Sequence, residues 1–338
     1  MSVEQDGRPD TTARTERPLR AVALGGGHGL QASLAALRQL TSDVTAVVTV
    51  ADDGGSSGRL RRELGMLPPG DLRKALAALS SADTSGQMWS QVFEHRFGGN
   101  GALAGHAVGN LVLAGLLEVL EDPVEVLDQA CCLLGVRGRV LPMSAAPVDM
   151  EADVTGLDTD PRAIRTIRGQ VAIASTPGRV KEIRLFTTDG QRKQPIATPE
   201  AVRAVFDADV VVLGPGSWFT SVLPHVMVPE LREALVTTRA HRLVVLNLVP
   251  QPGETAGFSP EQHLHVLSQH APRLRVDAVL ADTASVPTPD RLRAAAAELG
   301  AQTLLDQVAT SASPGRHEPG ALAACLAAAL ERRTDWWR

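Results

Sequence analysis

The sequence predicts an α/β fold: a mostly parallel sheet with helices on both faces and a small β-rich insertion. Three observations predict it. The first ordered segment reads strand, helix, strand; four apolar runs lead directly into polar, glycine-rich loops; and residues 136–190 change character to short β-like stretches before the strand–helix alternation resumes near residue 198.

Taken in order, residues 1–18 are polar and aperiodic, which predicts a disordered tail. Leu19–Leu24 is an apolar strand that ends in Gly25-Gly26-Gly27-His28-Gly29, and Leu30, Leu34, Leu37 and Leu40 then recur at helical spacing. Thr45–Val50 is the second strand and Ala51–Gly58 its loop; the βαβ opening implies parallel strands and a right-handed crossover. About 59–135 read mostly helical, broken at Pro68-Pro69-Gly70 and Gly98–Gly101. Gly138–Leu141, Val148–Val154, Gln170–Ser175 and Glu182–Phe186 are the expected strands of the insertion. Asp209–Leu213, Leu243–Leu248 and Val276–Leu280 continue the main sheet, and Ala321–Leu330 is the closing helix. The organisation expected is one α/β domain over 19–331, with a C-terminal tail at 332–338.

Composition narrows the function. The chain has 338 residues, 44% of them hydrophobic and 21% charged, which is the globular range. Its 33 basic and 38 acidic side chains give a net charge of −5, so no global positive field attracts nucleic acid. Tyr is absent, which removes a tyrosine acid or base, and ten Phe and Trp residues make no stacking platform. The apolar runs are too short to insert in a membrane. Cys131, Cys132 and Cys325 show no zinc or disulfide spacing, and the N-terminus has no hydrophobic signal segment, so the cytoplasm is the expected compartment. His263, His265 and His270 do not share a helix face, so no metal site is assigned. No GxSxG elbow is present, and no catalytic residue is assigned.

In a parallel sheet all four glycine-rich loops leave from the carboxyl edge, where open α/β sheets bind ligands. The loop Gly25–Gly29 has neither a full GxGxxG nor a P-loop Lys, yet its backbone N–H groups and the following helix start suit a phosphate. Asp52-Asp53-Gly54-Gly55-Ser56-Ser57-Gly58-Arg59 is the most informative stretch. Alternation predicts that one Asp enters the crevice, to take a ribose hydroxyl or Mg²⁺, while the other caps the loop; the glycines and serines form a donor nest. From Arg59 to Lys74, five basic side chains face two acidic ones, a local net charge of +3. Asp71 reads as a helix cap or a ligand contact. His106 and Asn110 are polar groups in an apolar setting and need partners, either backbone or ligand. Gly214-Pro215-Gly216-Ser217 reads as a second anion loop, and Asn247 and Gln251–Thr255 lie at the next strand end as readers of a base or sugar.

These residues resemble a known family. GGGHGL at 25–30, VTVADDGGSSGRLR at 48–61, PPGDLRKAL at 68–76, GHAVGNL at 105–111, LGPGSWFTSVLP at 213–224 and QPGET at 251–255 resemble the YvcK-type gluconeogenesis factors, which belong with CofD, the 2-phospho-L-lactate transferase of deazaflavin coenzyme synthesis. The resemblance implies a Rossmann-like fold, binding of UDP-sugars such as UDP-N-acetylglucosamine, and a cytoplasmic role in gluconeogenic growth, cell shape and cell-wall supply, without catalysis. The alternative it implies is a Mg²⁺-dependent transferase; Mg²⁺ is the one cofactor it brings forward, and a homodimer or a protein partner is left open. By the resemblance, Gly26, Gly27, His28, Gly29 and Leu30 would meet the diphosphate. Asp52, Asp53, Gly54, Gly55, Ser56, Ser57 and Arg59 would meet the nucleotide-sugar. Asn110, Gly214, Gly216, Ser217 and Asn247 would line the same cleft, and Arg316 would supply a charged contact. His28 stands where the family usually has Thr, and Lys74 where Asn is expected.

Overall fold

The computed structural model describes residues 17–188, 190–251, 253–310 and 315–331; the expected tails therefore lie outside it except for residues 17 and 18. Seven strands form the main sheet: β1 (Arg20–Gly25), β2 (Asp43–Val48), β3 (Arg139–Pro142), β7 (Val210–Leu213), β8 (His241–Val245), β9 (Ala278–Asp282) and β10 (Gln302–Asp306). Every pairing is parallel, in the order β10-β9-β8-β7-β1-β2-β3. The central strands are apolar on both faces, and Ala21–Gly25 and Val210–Leu213 are fully buried, as a sheet covered on both sides requires.

The helices form two packed sets. Gly27–Leu37 contacts Pro69–Leu79 and Pro319–Glu331; Pro199–Asp207 contacts Pro229–Thr237, and Pro260–His270 contacts Pro289–Glu298. The chain builds outward from β1 to β3, then returns to the middle at β7 and builds outward the other way. The reversal falls between β1 and β7. Right-handed crossovers then put successive helices on opposite faces, and the two loops at the reversal diverge to leave a crevice.

The insertion is a three-stranded antiparallel sheet, β4 (Val148–Thr155), β5 (Ile164–Arg168) and β6 (Arg179–Thr187), in the order β5-β4-β6. Two expectations need correction. The stretch at 138–141 is not part of the insertion: β3 pairs with β2 as the edge of the main sheet. Gln170–Ser175 is not a strand; Gln170–Ala174 is a short helix, entered through Gly169 at φ 97° and held by Asp53, whose carboxylate accepts the Val171 N–H at 2.9 Å. Two strands, β5 and β10, lie outside the sequence reading. Among the described residues, no helix is long and apolar enough to cross a membrane.

Candidate functional site

The two loops at the reversal touch. A Cβ on Gly29 would lie 2.2 Å from the Pro215 carbonyl oxygen and 2.5 Å from Gly216 Cα, so only glycine permits this approach. Ser33 reinforces it by donating to the Gly214 carbonyl at 2.6 Å. Asn247 holds the second loop by both ends of its amide: it accepts the Gly216 N–H and donates to the Gly216 carbonyl, each at 2.8 Å. Behind it, Gln251 accepts the Trp218 N–H at 3.3 Å, and buried Glu254 accepts the Phe219 N–H at 3.0 Å and the Thr220 hydroxyl at 2.5 Å. Burial pushes the Glu254 carboxyl above its ordinary range, against those hydrogen bonds.

Where the loops part, a cleft of about 370 Å³ opens, within the size range of small-molecule sites. Its wall includes His28, Gly29, Gly216, Asn247, Gln251 and Arg316 from the expected residues, with Gln31 and His317 added. The helix Gly27–Leu37 begins at this wall with no capping side chain and no acidic residue in its first turn. Its first N–H groups and the positive end of its dipole therefore remain available for an anion. Arg316 in the same wall is exposed, and His317 Nε2 is buried without a partner among the described residues. His28 is pushed below the usual imidazole range, first by desolvation and then by the charges of Lys74 and Arg316.

The loop after β2 approaches from the other side and does not line this cleft. Asp52 accepts the Gly54 N–H at 2.9 Å and turns toward Ser57 and Gly70. Burial pushes the Asp52 carboxyl up, against that hydrogen bond, and the charge of Asp71 adds to the push. Asp71 is not a helix cap; it lies in the first turn of Pro69–Leu79, where Pro68 holds the cap position. A Cβ on Gly26 would lie 2.6 Å from Asp71 Oδ2 and 3.2 Å from the Ser221 hydroxyl, so Asp71 and Ser221 border the first glycine loop directly. Asp71 pairs with Lys74 at 3.1 Å.

Other expected residues serve the scaffold. The Leu30 side chain is in the core, 1% exposed, and its N–H bonds to the Gly26 carbonyl. Asp53 binds the insertion, as above. Arg59 donates to the Ala104 carbonyl at 2.8 Å. Ser56 and Asn110 are buried together: Asn110 donates to the Ser56 hydroxyl at 2.9 Å, Ser56 bonds His106 Nδ1 at 2.9 Å, and Arg73 Nε donates to the Asn110 carbonyl oxygen at 3.0 Å. Arg73 reaches on to Glu94 at 2.6 Å. The partners that His106 and Asn110 require are thus supplied within the protein, where both converge on Ser56. Gly214, at φ 77°, packs toward the Val245 carbonyl, Ser217 accepts from Gln251 at 3.3 Å, Gly27 starts the helix Gly27–Leu37, and Gly54 and Gly55 form the start of Gly55–Leu64. Gln31 and His317 line the cleft outside the set read from the sequence, while Asp71 and Lys74 border the first glycine loop. Asp71 is legible in the sequence as a cap or a ligand contact, and Lys74 only as part of the basic run.

This arrangement, two glycine loops meeting at the reversal of a parallel sheet with helices around it, defines an open, doubly wound α/β protein. The chain belongs to the CofD family: the model of 2-phospho-L-lactate transferase CofD matches residues 21–315. It is 59% identical over 308 residues to the "Putative gluconeogenesis factor" of Mycobacterium tuberculosis, covering 90% of this chain and 88% of that protein. It is 38% identical over 269 residues to the protein of the same name from Streptococcus pyogenes, covering 79% of each. Among solved structures, a UPF0052-family protein from Bacillus halodurans superimposes with a TM-score of 0.79 at 33% identity, over 92% of this chain and 99% of that one.

Proposed function

We propose that this protein binds a UDP-sugar of the UDP-N-acetylglucosamine kind in the cleft between the β1 and β7 loops, and acts as a cytoplasmic regulator of the gluconeogenesis factor type, linked to carbon metabolism, cell shape and cell-wall supply. One observation carries the reading: an uncapped helix start opens onto a cleft that Arg316 also lines. A diphosphate bridges those two elements, with the N–H groups of Gly27–Gly29 on one side and a guanidinium on the other. Asn247, Gln251 and Gln31 add amides along the wall for the sugar or base. Thermal unfolding with UDP-N-acetylglucosamine tests it. At one hundred times the dissociation constant the ligand adds about 2.7 kcal/mol of stability. No shift with any UDP-sugar at millimolar concentration refutes the reading.

The family supports a second reading, a Mg²⁺-dependent transferase moving a phospholactyl-type group from a nucleoside diphosphate to an alcohol. In its favour, the Asp71 carboxylate borders the first glycine loop, and the Asp52 carboxylate lies beside Gly70, the residue before Asp71. Against it, Lys74 already pairs with Asp71, and no group of three or more His, Cys, Asp or Glu gathers to hold a metal among the described residues. Turnover of a deazaflavin acceptor in Mg²⁺ separates the two.

A further inference from the structure

The first glycine loop has a cationic floor. A Cβ on Gly27 would lie 4.0 Å from Lys74 Nζ and 4.0 Å from Asp71 Oδ1, so the ammonium and its carboxylate sit directly under the start of the helix. Asp71 is nearly buried, with 8% of its side chain exposed, while Lys74 keeps 22% and remains reachable. The second carboxylate, Asp52, is held by the Gly54 N–H. Mg²⁺ at a nucleotide site is bound by one or two carboxylates together with the phosphates. Here the carboxylate that borders the loop is neutralised by an ammonium from its own helix, three residues on. A divalent ion placed between that carboxylate and a phosphate would have to displace Lys74. The residues present therefore do not suit a metal, and they supply the positive charge a metal would bring. The depressed basicity of His28 agrees, since Lys74 is the largest charge acting on that ring.

We propose that Lys74 is the cation that meets the ligand's phosphates at this loop, so that the protein binds a nucleoside diphosphate group without a divalent metal ion. The proposal rests on the reading of the cleft as a nucleotide-sugar site and adds its charge chemistry. An ammonium is a compact donor able to hold a carboxylate and a phosphate oxygen at once.

Titration calorimetry of the full chain with UDP-N-acetylglucosamine, and separately with inorganic pyrophosphate, each in excess EDTA and in millimolar Mg²⁺, tests it. The expected wild-type affinities agree within about twofold between the two buffers. Lys74→Gln lowers affinity in EDTA by about tenfold or more, the loss expected for one charged hydrogen bond, and Lys74→Arg retains most of it. Asp71→Asn tightens binding in EDTA, because it removes a negative neighbour of the phosphates and frees Lys74 for them. A wild-type affinity that collapses in EDTA overturns the proposal, as does a folded Lys74→Gln protein that binds unchanged, or an Asp71→Asn protein that loses binding only in Mg²⁺. Pyrophosphate binding in EDTA with no binding of the UDP-sugar supports Lys74 and refutes the nucleotide-sugar reading. Failure of both probes refutes both.

Discussion

Gly29→Ala is the sharpest perturbation of the contact on which the cleft depends. The added methyl would lie 2.2 Å from the Pro215 carbonyl oxygen, 2.6 Å from its carbon and 2.5 Å from Gly216 Cα. Ordinary van der Waals contact for such atoms begins beyond about 3.4 Å, so the loops must separate by about 1 Å. All three atoms are backbone, and the Pro215–Gly216 segment is pinned by Asn247 on both sides of Gly216, so no side-chain rotation relieves the clash. Overpacking of this kind costs about 1–3 kcal/mol. The same displacement moves Gly216 away from the uncapped helix start, and a loss of about 1.4 kcal/mol in binding is a tenfold loss in affinity. Urea unfolding and calorimetry with UDP-N-acetylglucosamine measure the two effects. Gly101→Ala, where the methyl meets nothing within 4 Å, is the matched control. If Gly29→Ala matches that control in both stability and affinity, the two loops are not in contact and the argument for a shared phosphate site fails.

Asn110→Ala should lower stability by about 1–3 kcal/mol, because it strands Arg73 Nε in the interior and leaves the Ser56 hydroxyl to His106 alone, while ligand affinity stays within about twofold; a selective loss of affinity would return Asn110 to the ligand. Asp53→Ala removes the acceptor of the Val171 N–H and should cost about 0.5–2 kcal/mol, read by faster amide exchange in 170–174 while β1 and β7 stay protected; uniform exchange across the chain would contradict it. His28 is depressed by burial, Lys74 and Arg316 when the cleft is empty, and a bound diphosphate raises it again. Affinity should therefore increase as pH falls below about 6.5, and His28→Thr should flatten that profile; equal pH profiles for the two proteins would remove His28 from the site. His225 is fully buried between the carbonyls of Val222 and Val47, and burial lowers it from 6.5 to about 4. A histidine depressed by folding stabilises above its unfolded value, and that stability is lost as pH falls from 6.5 toward 4, a total of about 3 kcal/mol; an NMR titration in which the His225 ring protonates near 6.5 would contradict this.

What the sequence disclosed follows from how local each signal is. Ala21–Gly25 and Val210–Leu213 are buried on both faces, so they read as unbroken apolar runs, and the glycine loops follow at once. β5 is an edge strand with Ile164 64% exposed, and β10 is buried only at Leu304; neither carries an alternation strong enough to register. Gln170–Ser175 misleads because five apolar or small residues fit a strand or a helical turn equally well. The choice is made by Asp53, 118 residues away, which caps the helix. The same limit applies to the site. Polar His106 and Asn110 signalled that partners were needed, but the partners are Ser56 and Arg73, brought in by two other helices. Asp71 and Lys74 look like an ordinary first turn until the fold sets them against Gly26 and Gly27.

The distribution of charge also bears on whether the cleft transforms its ligand. A transferase needs a group free to activate the acceptor and a cation free to follow charge onto the leaving phosphate. Asp52 is held by the Gly54 N–H and Asp71 by Lys74, while Glu254 is locked into the turn at Phe219–Thr220. What faces the cleft is His28, Arg316, His317, amide side chains and backbone donors. On the proposed reading these groups hold a diphosphate by charge and backbone donors, and any interaction equally strong in ground and transition states raises affinity without raising a rate. On the proposed reading, a chain of net charge −5 that gathers Lys74, Arg316 and a titratable His28 near one helix start holds an anion there, and the arrival of that anion is read by His28.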